Sequence, residues 1–215
     1  MSSNASEFTP SDLVILFGDR FAPEAGILMP REEVLTSGKK IGNEGLAVAA
    51  VRAALLANEQ AGAIRLEKGT KKVMFGLMKK ETMNVVVTGS PPAWPQGSME
   101  AAVASAASRG TPNVEELVAA LIVKQRTDPS KHLLDIGRIG MSLRGLLAAE
   151  ETKKLKILTT IKYTLPDPVR ARLNSADADE VKSILDADDR TRPDISHAVT
   201  KAIRSSIAAM TESSE

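Results

Sequence analysis

Few residues in this chain are equipped for covalent chemistry. There is no cysteine, so disulfides, thiolate metal sites and thiol nucleophiles are excluded. Histidine occurs only at His132 and His197, too sparsely for a histidine-rich metal centre. His132 and Asp135 are three residues apart, a spacing that puts an imidazole and a carboxylate on one helical face as an acid–base pair would require. No nucleophile accompanies them at a telling distance, and the plainer reading is an acid supporting a helix start beside a surface or interface histidine. Asp177, Asp179 and Glu180, then Asp186, Asp188 and Asp189, gather oxygen ligands without the alternating spacing and central glycine of a calcium loop. A solvated loop and a favourable helix N-terminus account for them. Phosphate-binding glycine loops, nucleophile elbows and zinc-helix motifs do not occur in the sequence. The expectation is a protein that binds and does not catalyse, with no cofactor.

Binding chemistry then falls to lysines and one ring. Residues 153–165 (KKLKILTTIKYTL) alternate polar and apolar. A hairpin turning at Thr159-Thr160 would carry Lys153, Lys154, Lys156 and Lys162 broadly on one face and Leu155, Ile157 and Ile161 on the other. Such an element suits an anionic membrane surface, where each lysine contributes on the order of 1 kcal/mol. It suits a partner subunit equally, and the bland alternative is a lid on the helical core with wet lysines. Lys71-Lys72 and Lys79-Lys80 flank a strand and read as edge protection. Trp94, the single tryptophan, sits in the proline-rich loop 89–97 (GSPPAWPQG), where packing its own loop is favoured over anchoring a membrane or partner.

The elements that position these residues are mostly helices. Residues 1–9 and 209–215 read as disordered tails of one domain spanning 10–208. Pro10 opens a short apolar helix over 13–17. Residues 44–61 form an alanine/leucine helix stopped by Gly62. Runs at 64–67, 73–77 and 84–87 predict a small three-stranded meander. Helices follow over 98–109 and 114–126, the second capped by Asn113, and Asp128-Pro129 opens another that runs to about 147. After the hairpin come helical segments at 169–175, 180–186 and 193–208.

Composition agrees with this class. At 215 residues the chain can bury one substantial core, and aromatics at 3% leave that core to Ala, Leu, Val, Ile and Met. The same scarcity argues against base-stacking platforms for single-stranded nucleic acid. A net charge of +1 supplies no global field toward DNA or membrane, so any anionic partner must meet a local patch. A winged helix-turn-helix is a third reading, for which residues 135–145 carry only Arg138 and Arg144 as cations. The N-terminus is polar and acidic where a signal peptide would be basic and apolar, and no run is apolar enough to span a bilayer. The expected location is cytoplasmic.

Several local motifs, in order, resemble the Golgi phosphoprotein 3 family. They are the apolar helix 13–17, the step Ala61-Gly62-Ala63-Ile64, the segment Val87-Thr88-Gly89-Ser90-Pro91 leading to a helix, and Met141 to Glu150 (MSLRGLLAAE). The hairpin, Tyr163-Thr164-Leu165-Pro166-Asp167-Pro168 and Asp188-Asp189-Arg190-Thr191 complete the series, and the likeness covers about 11–207. The alanine-rich, aromatic-poor composition points to a prokaryotic member. The resemblance implies a mainly α-helical single domain with a small β-meander and one β-hairpin, without enzymatic activity. In eukaryotic members it implies phosphatidylinositol 4-phosphate binding on Golgi membranes, contact with glycosyltransferase tails, and self-association through the hairpin. The family's lipid-site positions fall at Gly42, at Val51 with Arg52 beside it, at Lys131 and at Leu134. The resulting expectation is a non-catalytic peripheral membrane adaptor. It would meet anionic phospholipid through Arg52, Lys131, Lys39, Lys40, Lys153, Lys154 and Lys156, and bind no nucleic acid. The alternative is a soluble protein–protein module or homo-oligomer without lipid contact.

Overall fold

A computed structural model describes residues 7–26, 30–73, 78–122, 128–154 and 158–212; the side chains of 72, 73, 78, 79, 152–154 and 158–160 lie outside that description. The molecule is mainly helical, with eight helices and three two-stranded antiparallel sheets among the described residues. In order these are α1 (Pro10–Leu16), β1 (Arg31–Glu33), β2 (Lys40–Gly42), α2 (Asn43–Gln60), β3 (Ile64–Val73), β4 (Met78–Val87), α3 (Met99–Ser108) and α4 (Val114–Leu121). They continue as α5 (Pro129–Leu143), β5 (Ala148–Lys154), β6 (Leu158–Thr164), α6 (Asp167–Arg170), α7 (Ser175–Thr191) and α8 (Pro193–Glu212).

The middle of the molecule is α2. Ala47, Ala50, Val51, Ala54 and Leu55 have no exposure, and Leu46, Val48, Ala53 and Leu56 are nearly as buried. A helix apolar on nearly every side must be enclosed, and α1, α3, α5, α7 and α8 all pack against it. Its alanines let those neighbours come close. The helix stops at Gly62 (φ 72°), where Ala63 N–H donates to Asn58 O and Gly62 N–H to Glu59 O. This paired closure satisfies two carbonyls that a helix end would strand, and needs the left-handed conformation glycine adopts freely.

α5 ends in the same way. Leu146 N–H donates to Met141 O and Gly145 N–H to Ser142 O, with Gly145 at φ 73°. The helix expected to reach 147 therefore closes at Leu143. Leu146 and Leu147 turn into the core, 2% and 3% exposed, and the chain enters β5 at Ala148. Several helix starts are capped locally: Thr9 on Asp12 N–H, Ser98 on Ala101 N–H, Asn113 on Glu116 N–H and Asp128 on Lys131 N–H.

The expected meander is instead one long ribbon, β3 paired with β4 from Ile64↔Val87 to Val73↔Met78. It adheres to the helices by Ile64, Leu66, Met83 and Val85, all buried at its base. Sheet β1–β2 was not expected from the sequence; three residues per strand are too few to show a periodicity. At the tail boundaries, Phe8 and Thr9 are buried and α8 runs on to Glu212. α4 ends at Leu121, with Ile122 already extended, short of the expected limit at 126; residues 123–126 and most of the strand expected at 73–77 lie outside the described residues.

Close approach fixes how α5 meets the Trp94 loop. A Cβ built at Gly140 would run into the Gly97 carbonyl, a backbone atom that cannot swing aside. Gly140→Ala should lower unfolding free energy by about 1–2 kcal/mol, the clash outweighing the roughly 1 kcal/mol gain in helix propensity. Gly137→Ala should lose less, because the atom it meets is the end of the flexible Ile15 side chain. Thermal melts of the two variants check the order, and an unchanged or raised melting point for Gly140→Ala would contradict it.

Candidate docking ribbon and the basic residues around it

Strands β5 and β6 pair from Ala148↔Thr164 to Lys154↔Leu158. The turn expected at Thr159-Thr160 is displaced because the first strand begins five residues earlier than the lysine run. Thr159 and Thr160 are strand residues opposite Lys153 and Thr152. This register also changes the charge pattern. Opposed positions share a face and consecutive positions alternate, so Lys154 belongs with Glu150 and Lys162, and Lys153 with Glu151 and Ile161. The lysine positions are divided between the two faces, and glutamates accompany both. The ribbon is not a plain cationic face. Lys156, Leu155 and Ile157 lie outside the described residues.

At its root the ribbon is tied to the body. Tyr163 is half-buried, its hydroxyl pKa raised by burial first and then by the Asp135 carboxylate, against which Arg138 acts. Leu165 just beyond is in the core. Ala148 and Ala149 beside it, and Glu150, Glu151, Ile161 and Lys162 farther out, are exposed. No other described strand pairs with either edge. On α5, whose Asp135 and Arg138 act on Tyr163, Ile139 and Leu143 lie one turn apart and are 48% and 72% exposed; Ile161 is 47% exposed. These are three of four large apolar side chains left open among the described residues, the other being Val87.

The remaining basic residues named above are engaged inside the molecule or beside acids. Arg52 bonds Asp189 at 2.5 Å and Ser196 Oγ at 2.8 Å, with Asp188 at 3.6 Å, and its side chain is only 14% exposed. It joins α2 to α7 and α8. Lys131 holds Asp135 at 3.0 Å and lies 3.9 Å from Glu32. Lys39 pairs with Asp19 at 3.2 Å, while Lys40 is exposed on β2 opposite Glu33. Of the other positions mapped by resemblance, Val51 and Leu134 are wholly buried core. Gly42 borders a recess of about 420 Å³ at the adjoining starts of α2 and α5. Glu24, Glu44 and Asp128 line it against the single cation Arg204, itself paired with Glu44 at 3.4 Å. That lining disfavours a phosphate. A larger groove of about 640 Å³ lies between β3–β4 and α8, with Lys68, Lys80 and Lys201 at its walls. Lys68 is answered by Asp194 and Lys80 by Glu115.

The carboxylates named above are engaged as well. Asp135 is held by Lys131 and Arg138, Asp179 by Arg20, Asp186 by Lys182, and Asp188 by Arg192. Among the described residues no group of His, Asp and Glu is arranged to hold a metal ion.

A buried polar knot at α1, α3 and α5 had no signature in the sequence. Ser11 donates its backbone N–H and its hydroxyl to the two oxygens of Glu100, at 2.8 and 2.9 Å. Asp12, the next residue, accepts both oxygens' bonds from Arg144 Nη2 at 2.9 Å and the Thr9 N–H at 2.8 Å. Asn58 of α2 donates to the Glu100 carbonyl at 3.1 Å and accepts from Trp94 Nε1 at 2.9 Å, which pins the proline-rich loop. Glu100 and Asp12 have no exposure. Burial raises both carboxyl pKa values, with the Arg144 guanidinium opposing it at Asp12 and the Asp12 charge adding to it at Glu100. The arrangement holds three helices in register and presents no reactive group to solvent.

Compared with models of known families and with curated proteins, the chain matches none.

Two outcomes follow from these pairs. A carboxyl with a raised folded-state pKa contributes most below its unfolded value and loses that contribution as pH climbs through the folded value. Glu100→Gln keeps an acceptor for Ser11 and removes the titration. The unfolding free energy of the variant relative to the parent should therefore rise from about pH 4.5 upward in denaturant titrations, and a flat difference would contradict this. Arg52→Met should leave Asp189 with only the Ser196 hydroxyl and take from Asp188 one of its two cations, lowering stability by about 1–3 kcal/mol. It should leave binding to vesicles of phosphatidylserine and phosphatidylcholine unchanged, since the guanidinium already has its partners.

Proposed function

We propose that this chain is a non-catalytic docking module that engages a protein partner through the β5–β6 ribbon. The observation that carries this reading is the ribbon itself: two strands with no described strand beyond either edge, projecting Ile161 into solvent. Open edges recruit further strands unless charge, proline or a covering element prevents it. Exposed Ile139 and Leu143 on α5 extend the apolar surface available to a partner. The resemblance to the Golgi phosphoprotein 3 family supports a binding role over a catalytic one.

Recruitment to an anionic membrane is the second reading, favoured by Lys153 and Lys154 at the last described pairs of the ribbon and by Lys156 and Lys162 near them in the sequence. Against it stand Glu150 and Glu151 on the same ribbon and the ion pairs already made by Arg52, Lys131 and Lys39. No described helix is long and apolar enough to cross a membrane.

Photo-crosslinking separates the two. A photo-reactive residue in place of Ile161 should give discrete protein adducts in cells expressing the chain, and one in place of exposed Val87 should not. Adducts to phospholipid, with recovery on phosphatidylserine vesicles exceeding that on neutral ones, would replace the protein reading by the membrane one. No adduct at 161 above the level at 87 would overturn both.

A further inference from the structure

The inward face of the β3–β4 ribbon changes character along its length. Alternation puts Ile64, Leu66, Lys68 and Thr70 of β3 on one face with Val85, Met83 and Glu81 of β4. Ile64, Leu66, Met83 and Val85 are buried against the helices, whereas Lys68, Thr70 and Glu81 are exposed. Below the polar half, α8 presents Ala198 and Ala202, one turn apart and too short to reach the ribbon. The groove of about 640 Å³ is the space left between them. We infer that it binds a small organic anion with an apolar body, at a site separate from the β5–β6 ribbon and independent of its role.

The walls are fixed without a ligand. Ser206 Oγ on α8 donates to Glu115 O on α4 at 3.0 Å, and Val85 N–H of β4 donates to Pro112 O just before α4 at 3.1 Å. Sites for small molecules span roughly 300–1,000 Å³ and combine an apolar lining with a few polar groups. Here Met83, Ala198 and Ala202 supply the apolar floor, and the lysine stems extend it. An inorganic ion would gain nothing from that floor, so the ligand needs a hydrocarbon part.

Charge selects the sign of its head group. Lys68 of β3, Lys80 and Glu81 of β4, Glu115 of α4 and Lys201 of α8 line the groove, three cations against two acids. Glu115 is taken by Lys80 at 2.9 Å. Lys68 meets Asp194 at 3.0 Å, but that carboxylate is 81% exposed, and such pairs contribute only about 0–1 kcal/mol. A ligand anion can therefore take its place. Lys201 enters no ion pair among the described residues, and neither does Glu81. Two ammonium groups, Lys68 and Lys201, thus stand ready for a ligand against the single uncommitted acid Glu81. A cationic ligand would meet the reverse balance and be repelled.

The test uses anilinonaphthalene sulfonate, a sulfonate on an apolar body that fluoresces when it leaves water, with circular dichroism confirming that each variant keeps its fold. The parent should bind the probe, and octanoate should displace it where octanol does not. Lys201→Gln should weaken binding about threefold to tenfold and Glu81→Gln should tighten it about twofold, the first losing an attracting charge and the second a repelling one. Ala198→Leu fills the floor and should weaken binding by about tenfold or more. Leu143→Ser, at the open apolar pair on α5, should leave it unchanged. Displacement by octanol as readily as by octanoate, or no effect of Lys201→Gln, would overturn the anionic ligand. Binding that survives Ala198→Leu, or that is lost with Leu143→Ser, would overturn the groove as the site.

Discussion

The helical body depends on a carboxylate that is wholly out of water. Glu100 at the start of α3 accepts the N–H and hydroxyl of Ser11, and its neighbour Asp12 is matched by Arg144 at the end of α5. Ionised groups are tolerated in a core only when hydrogen bonds and opposite charge replace the lost hydration. Here the donors come from the start of α1 and the end of α5 and reach a carboxyl on α3, so these polar groups are satisfied in one relative arrangement only. Arg144 is also the capping residue of α5, one position before the glycine that turns the chain toward β5. The buried charge and the direction in which the ribbon leaves the body are therefore set within two residues of each other.

Around that knot the packing is governed by smallness. α2 offers alanines to its neighbours, and α5 offers Gly137 to Ile15 and Gly140 to the Gly97 loop. With so few aromatic rings, the core gains its density from close backbone approach, which leaves little tolerance for an added methyl group. Rings that do occur are placed where they tie segments together: Trp94 by its Nε1 to Asn58, and Tyr163 at the root of the ribbon.

The mainly helical class and most helix starts were legible in the sequence, since caps such as Ser98, Asn113 and Asp128 act within one turn. So was the loop-pinning role of Trp94. Strand limits were less legible. The β3–β4 ribbon read as three short strands because Gly69 and the lysines interrupt its apolar alternation, and β5 was hidden in an Ala-Ala-Glu-Glu stretch with high helix propensity. The helix opened by Asp128-Pro129 was read on to 147, past its stop before Gly145, and strand pairing begins three residues after that glycine. The lysine pattern around 153–165 was seen, yet its distribution over two faces depends on the register, which only the partner strand defines. Long-range ion pairs such as Arg52 with Asp188 and Asp189 leave no trace in local spacing, and so an arginine of the α2–α7 junction looked available to a ligand.

A backbone amide in the first turn of a helix has no partner within that helix and exchanges with water quickly. Ser11 holds that position in α1 and donates its N–H to Glu100 instead. Native-state hydrogen exchange should therefore find the Ser11 amide as protected as the core amides of α2. Exchange at the rate of an unpartnered first-turn amide would contradict the dependence of the helical body on Glu100.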